Sequence, residues 1–199
     1  MTLKTAVLIY DGVAELDFAA PCEVFNGSKA LLDSKSDMVF TVSHSKDTVK
    51  CYGGLKVTPD YTLDNMPEAD VLIVPGTILV KELVTDTALV GWLKRAAKSA
   101  KWVAGVCTGS MLVAEAGLLE GKAATTHWMC IEELKKYENI TVMEKIRYVR
   151  DGNVVTSAGV SAGLDMALWL VGELRGREHA REVQHLLEYY PAPPYQAEV

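Results

Sequence analysis

The sequence contains no hydrophobic stretch long enough to cross a membrane, and its N-terminal apolar run is short. That run ends at the turn signal Asp11-Gly12, so it begins too early and ends too soon for a secretory signal peptide. We therefore expect a protein that neither spans a membrane nor is secreted. A reducing, cytoplasmic setting follows as the default.

Clusters of basic residues are also missing. The chain has 20 Lys and Arg against 26 Asp and Glu, which gives a formal net charge of −6 at pH 7. Binding to nucleic acid needs a clustered basic face, so DNA and RNA are not expected partners.

Cysteines are few and far apart. The four are Cys22, Cys51, Cys107 and Cys130, with no Cys-x-x-Cys motif and no zinc-type spacing to histidine. We expect no disulfide framework, no metal site and no other cofactor.

Strand patterns alternate with helix patterns along the chain. Apolar runs at 5–10, 71–74 and 102–106 are typical of buried parallel strands, and residues 38–43 and 153–158 also predict strands. Segments beginning near 86, 164 and 178 have apolar residues at helical spacing. At 199 residues and 49 % hydrophobic composition, the chain predicts one α/β domain over residues 1–199, with helices on both faces of a mostly parallel sheet.

The chain is organised around residues 102–119. A buried strand at 102–106 is followed at once by Cys107, then by the small residues Thr108, Gly109 and Ser110, and then by a helix that ends at Gly117. This strand, turn and helix arrangement places a nucleophile at a helix N-terminus. Free N–H groups and the helix dipole there favour the thiolate, so the pattern predicts a lowered pKa for Cys107 and an anion-binding N–H on Thr108. The equally weighted alternative is that Cys107 is an ordinary buried small residue.

A second candidate is Asp17. It lies at or just before the start of a predicted helix, beyond the end of the first strand, with Pro21 expected in the first turn. Ligands bind at this edge of open α/β sheets. Taken alone, the position favours a helix N-cap over a catalytic acid.

The assembled segments resemble the ThiJ/PfpI superfamily, whose members share the class I glutamine amidotransferase-like fold. The resemblance is carried by LDFAAPCEVF, VLIVPG, VCTGSMLVAEAGLLEGKAATTHW, VRDGNVVTSAGVSAGLDMAL and VQHLLEYYPAPPY. It implies a flavodoxin-like three-layer sandwich. The CTGS, ATTHW and EY-x-PAPP strings are shared with the isonitrile hydratases, which add water to an isonitrile to give an N-substituted formamide, and with sensor domains of AraC-type regulators.

The resemblance assigns roles residue by residue. Cys107 matches the nucleophile, Thr108 the residue after it, and Asp17 the acid. Cys107 would attack the isonitrile carbon, Asp17 would protonate that carbon with a pKa raised by burial and the adjacent thiolate, and Asp17 or Thr108 would position water to hydrolyse the thioimidate.

Two departures from the superfamily pattern concern the same site. The protease-like branch has histidine where this chain has Thr108. Relatives commonly have two glycines after the proline of VPG, whereas Thr77 follows Gly76 here. If the Thr77 N–H served an anion hole, its backbone would need a conformation easier for glycine.

Further residues are weaker candidates. Trp128 and Val160 are expected either to line the apolar part of a small-molecule pocket or to be core residues. His127 is expected to be a structural neighbour of the pocket rather than the base that activates the thiol.

Two other functions stay open. One is a cysteine-based oxidation sensor or an enzyme acting on another electrophile such as a reactive aldehyde. The other is a regulator, which the acidic charge balance and the end of the sequence at Val199 disfavour, because a DNA-binding module follows this segment in such regulators. The resemblance implies a homodimer, and the nearly all-apolar helix 164–175 is expected either to be covered on both sides or to form the subunit contact.

Overall fold

Eleven strands and seven α-helices make up residues 2–192, the part of the chain that the computed structural model describes. The proline-rich segment at 191–195 favours an extended conformation by its composition, and residues 193–195 of it lie outside the described part of the chain. The strands are β1 (Lys4–Leu8), β2 (Met38–Ser43), β3 (Val49–Lys50), β4 (Lys56–Val57), β5 (Tyr61–Thr62), β6 (Val71–Val74), β7 (Trp102–Gly105), β8 (Ala123–Ala124), β9 (Thr141–Val142), β10 (Tyr148–Asp151) and β11 (Val154–Ser157). The helices are α1 (Glu15–Leu31), α2 (Val80–Thr85), α3 (Thr87–Ala96), α4 (Gly109–Glu115), α5 (Ile131–Leu134), α6 (Ala162–Arg175) and α7 (Arg177–Leu186), with a 3-10 turn at Trp128–Cys130.

Seven strands form the central sheet in the order β10-β11-β7-β6-β1-β2-β5. All neighbours in this sheet are parallel except β10 and β11, which form an antiparallel hairpin at one edge. The three strands predicted as buried, β1, β6 and β7, lie side by side in the middle, and nearly every residue in them is buried. Their carboxyl ends therefore meet at one edge of the sheet, where Tyr10, Gly76 and Cys107 follow.

Two groups of helices flank the sheet. Helices α1, α6 and α7 pack against one another, as do α2, α3 and α4. This arrangement confirms the predicted three-layer α/β sandwich. No helix among the described residues has both the length and the apolar content needed to cross a membrane.

Helix α6 is covered on both sides by this chain. It packs on α1 and α7 as well as on β10 and β11, and its first fully exposed residue is Glu173. Of the two expectations for this helix, coverage within the domain is therefore the one that the structure supports.

Several predictions at element level were wrong. Helix α1 begins at Glu15, so Pro21 lies inside the helix rather than in its first turn. Strand β5 and helix α2 were not predicted. Residues 128–137, whose inward Ile131 and Leu134 predict one helix, instead form a 3-10 turn and the short α5. These segments are short, and short segments carry little periodicity.

Candidate active site

Cys107 lies in a sharp turn between β7 and α4, as the sequence predicts. Its φ angle of +56° is in the left-handed region, which non-glycine residues seldom adopt. The Cys107 carbonyl accepts hydrogen bonds from the hydroxyls of Ser110, at 2.9 Å, and Thr126, at 3.2 Å. The strained peptide is therefore held by side chains from two separate segments.

Glycines allow the two central strand ends to approach this turn. A Cβ atom on Gly109 would lie 2.0 Å from the Val74 carbonyl oxygen, and one on Gly76 would lie 2.4 Å from the Thr108 hydroxyl oxygen. Neither position has room for a side chain. The segment after β6 thus sits directly against the first turn of α4.

Asp17 is the third residue of α1 and is fully buried. It is not the helix N-cap, which is Ala14; instead its Oδ2 accepts the Gly76 N–H at 3.0 Å. The alternative that Asp17 merely caps α1 is therefore wrong.

Burial raises the pKa of the Asp17 carboxyl to about 6, against the lowering effect of the Gly76 N–H. The Cys107 thiol also lowers this pKa as a hydrogen-bond donor, although Oδ1 has no partner of conventional geometry among residues 2–192. The predicted rise in the pKa of Asp17 is confirmed, with burial as its cause. Cys107 was expected to raise this pKa as well, but it lowers it.

The pKa of Cys107 is raised, whereas the sequence predicted a lowered value. Its side chain is only 6 % exposed, and burial, followed by the nearby negative charge of Asp17, raises its pKa to about 12. The Val160 and Thr108 N–H groups lower it, as a helix N-terminus should, but they are outweighed. The group is therefore a thiol at neutral pH, with a carboxyl beside it that titrates near neutrality.

Two backbone N–H groups face the sulfur, from Thr108 and Val160. Val160 has a φ angle of +30°, a strained conformation for a β-branched residue that costs about 1–3 kcal/mol. The sequence predicted the first donor but assigned Val160 only an apolar side-chain role.

The Thr77 N–H is not available for an anion hole. It donates to the Thr108 hydroxyl oxygen at 2.8 Å, and that hydroxyl donates back to the Thr77 carbonyl at 2.6 Å. Thr77 also has no positive φ; it pairs in an isolated bridge with Val13. Thr77 therefore supplies no anion-hole donor in this geometry, and the Thr108 side chain joins two loops.

The comparisons with known proteins identify the family of this chain. A model of the DJ-1/PfpI family matches residues 3–173. The chain belongs to the DJ-1/PfpI family. Isonitrile hydratase of Pseudomonas putida is 38 % identical to it, over 98 % of this chain and 82 % of that protein. The transcriptional regulator GbdR of Pseudomonas aeruginosa is 30 % identical over 92 % of this chain but only 49 % of the regulator.

Solved structures of the family share the fold. A ThiJ/PfpI protein from Pseudomonas syringae, 32 % identical, superposes with a TM-score of 0.91 over 100 % of this chain and 80 % of that one. DJ-1beta of Drosophila melanogaster, 24 % identical, has a TM-score of 0.84 over 96 % of this chain and 100 % of that one. The flavodoxin-like fold and the ThiJ/PfpI resemblance are thereby confirmed.

In this DJ-1/PfpI chain, Trp128 and Val160 lie at the outer side of the site rather than in the core. They are 76 % and 37 % exposed. The Trp128 ring lies over the His127 ring, with centroids 5.7 Å apart, and a Cβ atom on Gly159 would meet that ring at 2.4 Å. His127 is thus a structural neighbour of the Val160 turn, and burial lowers its pKa.

Three residues of the site were not predicted. Tyr10 follows β1, is buried, and donates its hydroxyl to the Pro75 carbonyl at 2.7 Å. Burial and the charges of Asp17 and Cys107 raise its pKa, which places it beside both. Ser110 was predicted only as a small residue of the turn, and Thr126 only as part of a short strand. For Tyr10, a usable signal was its position at the end of a buried strand.

A cavity of about 300 Å³ opens beside the site. Tyr10, Ser43, Thr77 and Leu83 are among its lining residues, and Cys107 is not. The cavity thus borders Tyr10 and Thr77, which neighbour the site, and not Cys107 itself. Within residues 2–192, no group of three or more His, Cys, Asp or Glu side chains has an arrangement suited to a metal ion.

Proposed function

We propose that this protein hydrates isonitriles to N-substituted formamides. The observation that carries the proposal is the buried pair of Cys107 and Asp17, with the Thr108 and Val160 N–H groups on the sulfur. The identity of 38 % to an isonitrile hydratase supports the same chemistry.

The first step is the addition of the thiol to the isonitrile carbon. The Asp17 carboxylate accepts the thiol proton as the Cys107 sulfur bonds to carbon, and then delivers that proton to the same carbon. The product is a thioimidate, in which the carbon carries one hydrogen, the sulfur and a double bond to nitrogen. No free thiolate accumulates, which suits a thiol whose pKa is about 12.

The second step is hydrolysis of the thioimidate. Asp17 takes a proton from water as the oxygen bonds to carbon, and passes that proton to the nitrogen. As the carbon–sulfur bond breaks, Asp17 takes the proton of the carbon-bound hydroxyl and delivers it to the departing sulfur, and the formamide leaves. The Thr108 and Val160 N–H groups stabilise the negative charge on the departing sulfur. The Thr108 hydroxyl is engaged with Thr77, so water positioning falls to Asp17.

The small exposed fraction of Cys107 favours this class of substrate. An isonitrile presents a single terminal carbon on a linear group, which can reach a side chain that is only 6 % exposed. The substituent stays outside, near Val160 and Trp128, and small-molecule binding there is part of the proposal. The Asp17 carboxyl beside Cys107 favours catalysis over the alternative of an oxidation sensor, because a sensor needs only the reactive thiol.

The test is incubation of the purified protein with an alkyl or aryl isonitrile, following formation of the formamide. We expect turnover that is lost in Cys107→Ala and reduced at least 100-fold in Asp17→Asn. Cys22→Ala, at a cysteine remote from the site, is the matched control and should retain activity. No turnover, or turnover unchanged in Cys107→Ala, would reject the proposal.

The assembly and location are also proposals. We propose a homodimer in the cytoplasm, as the superfamily resemblance implies. Because α1 and α7 cover helix α6, the contact is expected on another surface than the one first suggested. Analytical ultracentrifugation at micromolar concentration tests the dimer, and a monomer mass would contradict it.

A further inference from the structure

The turn that carries Val160 is strained, and its surroundings show what holds it. The turn comprises residues 158–161, between β11 and α6, and Val160 lies inside it with a φ angle of +30°. A strained conformation persists only when contacts around it determine it. Two backbone hydrogen bonds of ordinary length link the turn to the start of α6. The Ala162 N–H donates to the Gly159 carbonyl at 3.0 Å, and the Gly163 N–H donates to the Val160 carbonyl at 3.3 Å.

Arg147 holds both ends of this turn from outside. Its carbonyl oxygen accepts the Ala158 N–H at 2.8 Å, and its guanidinium Nη1 donates to the Ser161 hydroxyl oxygen at 3.2 Å. One residue thus contacts the positions just before and just after Gly159 and Val160. Among the hydrogen bonds of the described residues, only those of Arg147 join one residue outside the turn to both Ala158 and Ser161.

The guanidinium is itself fixed by two neighbours. Arg147 forms an ion pair with Asp165 in the first turn of α6, and the Tyr189 hydroxyl donates to the other oxygen of that carboxylate at 2.9 Å. The Asp165 side chain is 26 % exposed and that of Arg147 is 52 % exposed. An isolated ion pair at such exposure contributes little to the free energy of unfolding. These contacts therefore matter because they fix the position of the Arg147 guanidinium.

We infer that Arg147 is a positioning residue that keeps the Val160 N–H directed at the Cys107 sulfur, and so sets the reactivity of a thiol that it does not touch. The inference rests on the proposed function only in the choice of substrate assay. The reactivity of Cys107 can be measured without any isonitrile.

The test is the pH dependence of Cys107 alkylation by iodoacetamide, read by mass spectrometry of the peptide that contains it. Asp17 and Tyr10 are the titratable side chains beside Cys107, and they are unchanged in every variant. We expect Arg147→Gln to raise the apparent pKa of Cys107 and to slow its alkylation at pH 7 about three- to tenfold, which corresponds to a rise of about half to one pKa unit. In the hydratase assay, kcat should fall more than KM rises.

Two further variants separate position from charge. Ser161→Ala removes the acceptor of the guanidinium but leaves its charge in place, and it removes no helix cap because the Ser161 side chain makes no capping hydrogen bond. It should slow alkylation in the same direction. Arg147→Lys keeps the charge and should restore part of the rate. Because Ser161 is exposed, its variant tests the inference even if Arg147→Gln does not fold.

The matched control is Arg150→Gln. Arg150 lies in β10, the strand that begins directly after Arg147. Arg150 donates to the Gly152 carbonyl and lies over the Trp102 ring, away from the 158–161 turn, so its loss should leave alkylation unchanged. Wild-type alkylation profiles in both Arg147→Gln and Ser161→Ala would overturn the inference. Slowed alkylation in a protein without hydratase turnover would instead support this inference and reject the proposed function.

Discussion

Burial raises the pKa of both Asp17 and Cys107, and the outcome is a pair that holds one proton at neutral pH. The carboxyl has a pKa of about 6 and the thiol one of about 12, so the proton resides on sulfur and the carboxylate is free to accept it. At the scale of the residue, a helix N-terminus alone does not produce a thiolate. In the proposed reaction, the neighbouring Asp17 carboxylate activates the Cys107 thiol as the sulfur attacks.

A pH profile of the hydratase reaction follows from this pair. Because the Asp17 carboxylate must accept the thiol proton, kcat/KM should rise as the pH increases and reach half of its plateau near pH 6. Initial rates at low isonitrile concentration between pH 4.5 and 8.5 measure it. The residual activity of Asp17→Asn should lack this limb, and an unchanged limb in that variant would contradict the role of Asp17.

Asp17 should also reduce stability above pH 6. Its carboxyl is charged at pH 7 but buried, and its folded-state pKa of about 6 lies above the ordinary value of 3.8 for an aspartate side chain. The folded state therefore holds an extra proton between about pH 4 and 6, and stability falls as the pH rises through this range. We expect Asp17→Asn to increase the free energy of unfolding at pH 8 by about 1–3 kcal/mol.

Urea unfolding at pH 8 and pH 4 measures this effect. The gain in Asp17→Asn should become small at pH 4, where the wild-type carboxyl is neutral in the folded state and only about half ionised in the unfolded state. A variant that is less stable than the wild type at pH 8 would show that the carboxylate is better solvated or paired than its burial indicates.

At the scale of the element, close approach between β6 and α4 builds the site. The peptides after Val74 lie so near the start of α4 that Gly76 and Gly109 have no room for Cβ atoms. This contact brings the Gly76 N–H to Asp17 and the Thr77 peptide to the Thr108 hydroxyl. The glycines are therefore required by packing between elements.

Gly109→Ala should be strongly destabilising. Its Cβ would lie 2.0 Å from the Val74 carbonyl oxygen, so backbone must move, and we expect a loss of about 3 kcal/mol or more in the free energy of unfolding. The matched control is Gly91→Ala in α3, whose Cβ would meet only the flexible end of Arg95 at 3.3 Å. That change should stabilise by about 0.5–1 kcal/mol. Urea unfolding compares both variants, and equal effects would contradict the packing argument.

The elements were largely predictable from sequence, but the contacts between them were not. The apolar run at 102–106, followed by Cys107 and small residues, predicted the strand, turn and helix because each part has a local signal. The Val160 N–H on the sulfur and the occupied Thr77 N–H depend on residues about 50 and 30 positions away in sequence, and no local pattern reports such pairs. The sign of the Cys107 pKa shift was missed because burial is a property of the folded molecule.

At the scale of the whole molecule, one buried ion pair joins distant parts of the chain. Arg175 at the end of α6 donates to Asp37 Oδ2 at 2.7 Å, and Asp37 Oδ1 accepts the Leu3 N–H at 2.8 Å. The two side chains are 17 % and 6 % exposed. The carboxylate therefore fastens the helical layer to the start of β1 and β2.

Removing one member of this pair should be costly. We expect Arg175→Met to lower the free energy of unfolding by about 2–4 kcal/mol, because the Asp37 carboxylate is left buried without its cation. The double variant with Asp37→Asn should recover part of that loss. A double-mutant cycle by urea unfolding measures the coupling, and additive losses would show that the two side chains act independently.

The strands at the two margins of the sheet limit how copies of this protein can associate. Strand β5 has only two residues, and β10, at the opposite margin, has the sequence Tyr-Val-Arg-Asp. So short a ladder offers a neighbouring chain few unpaired peptide groups, and charged side chains oppose a continuous intermolecular sheet. Any oligomer of this protein should therefore be built from helix and loop surfaces, and concentrated solutions should resist amyloid-like aggregation while the native state persists.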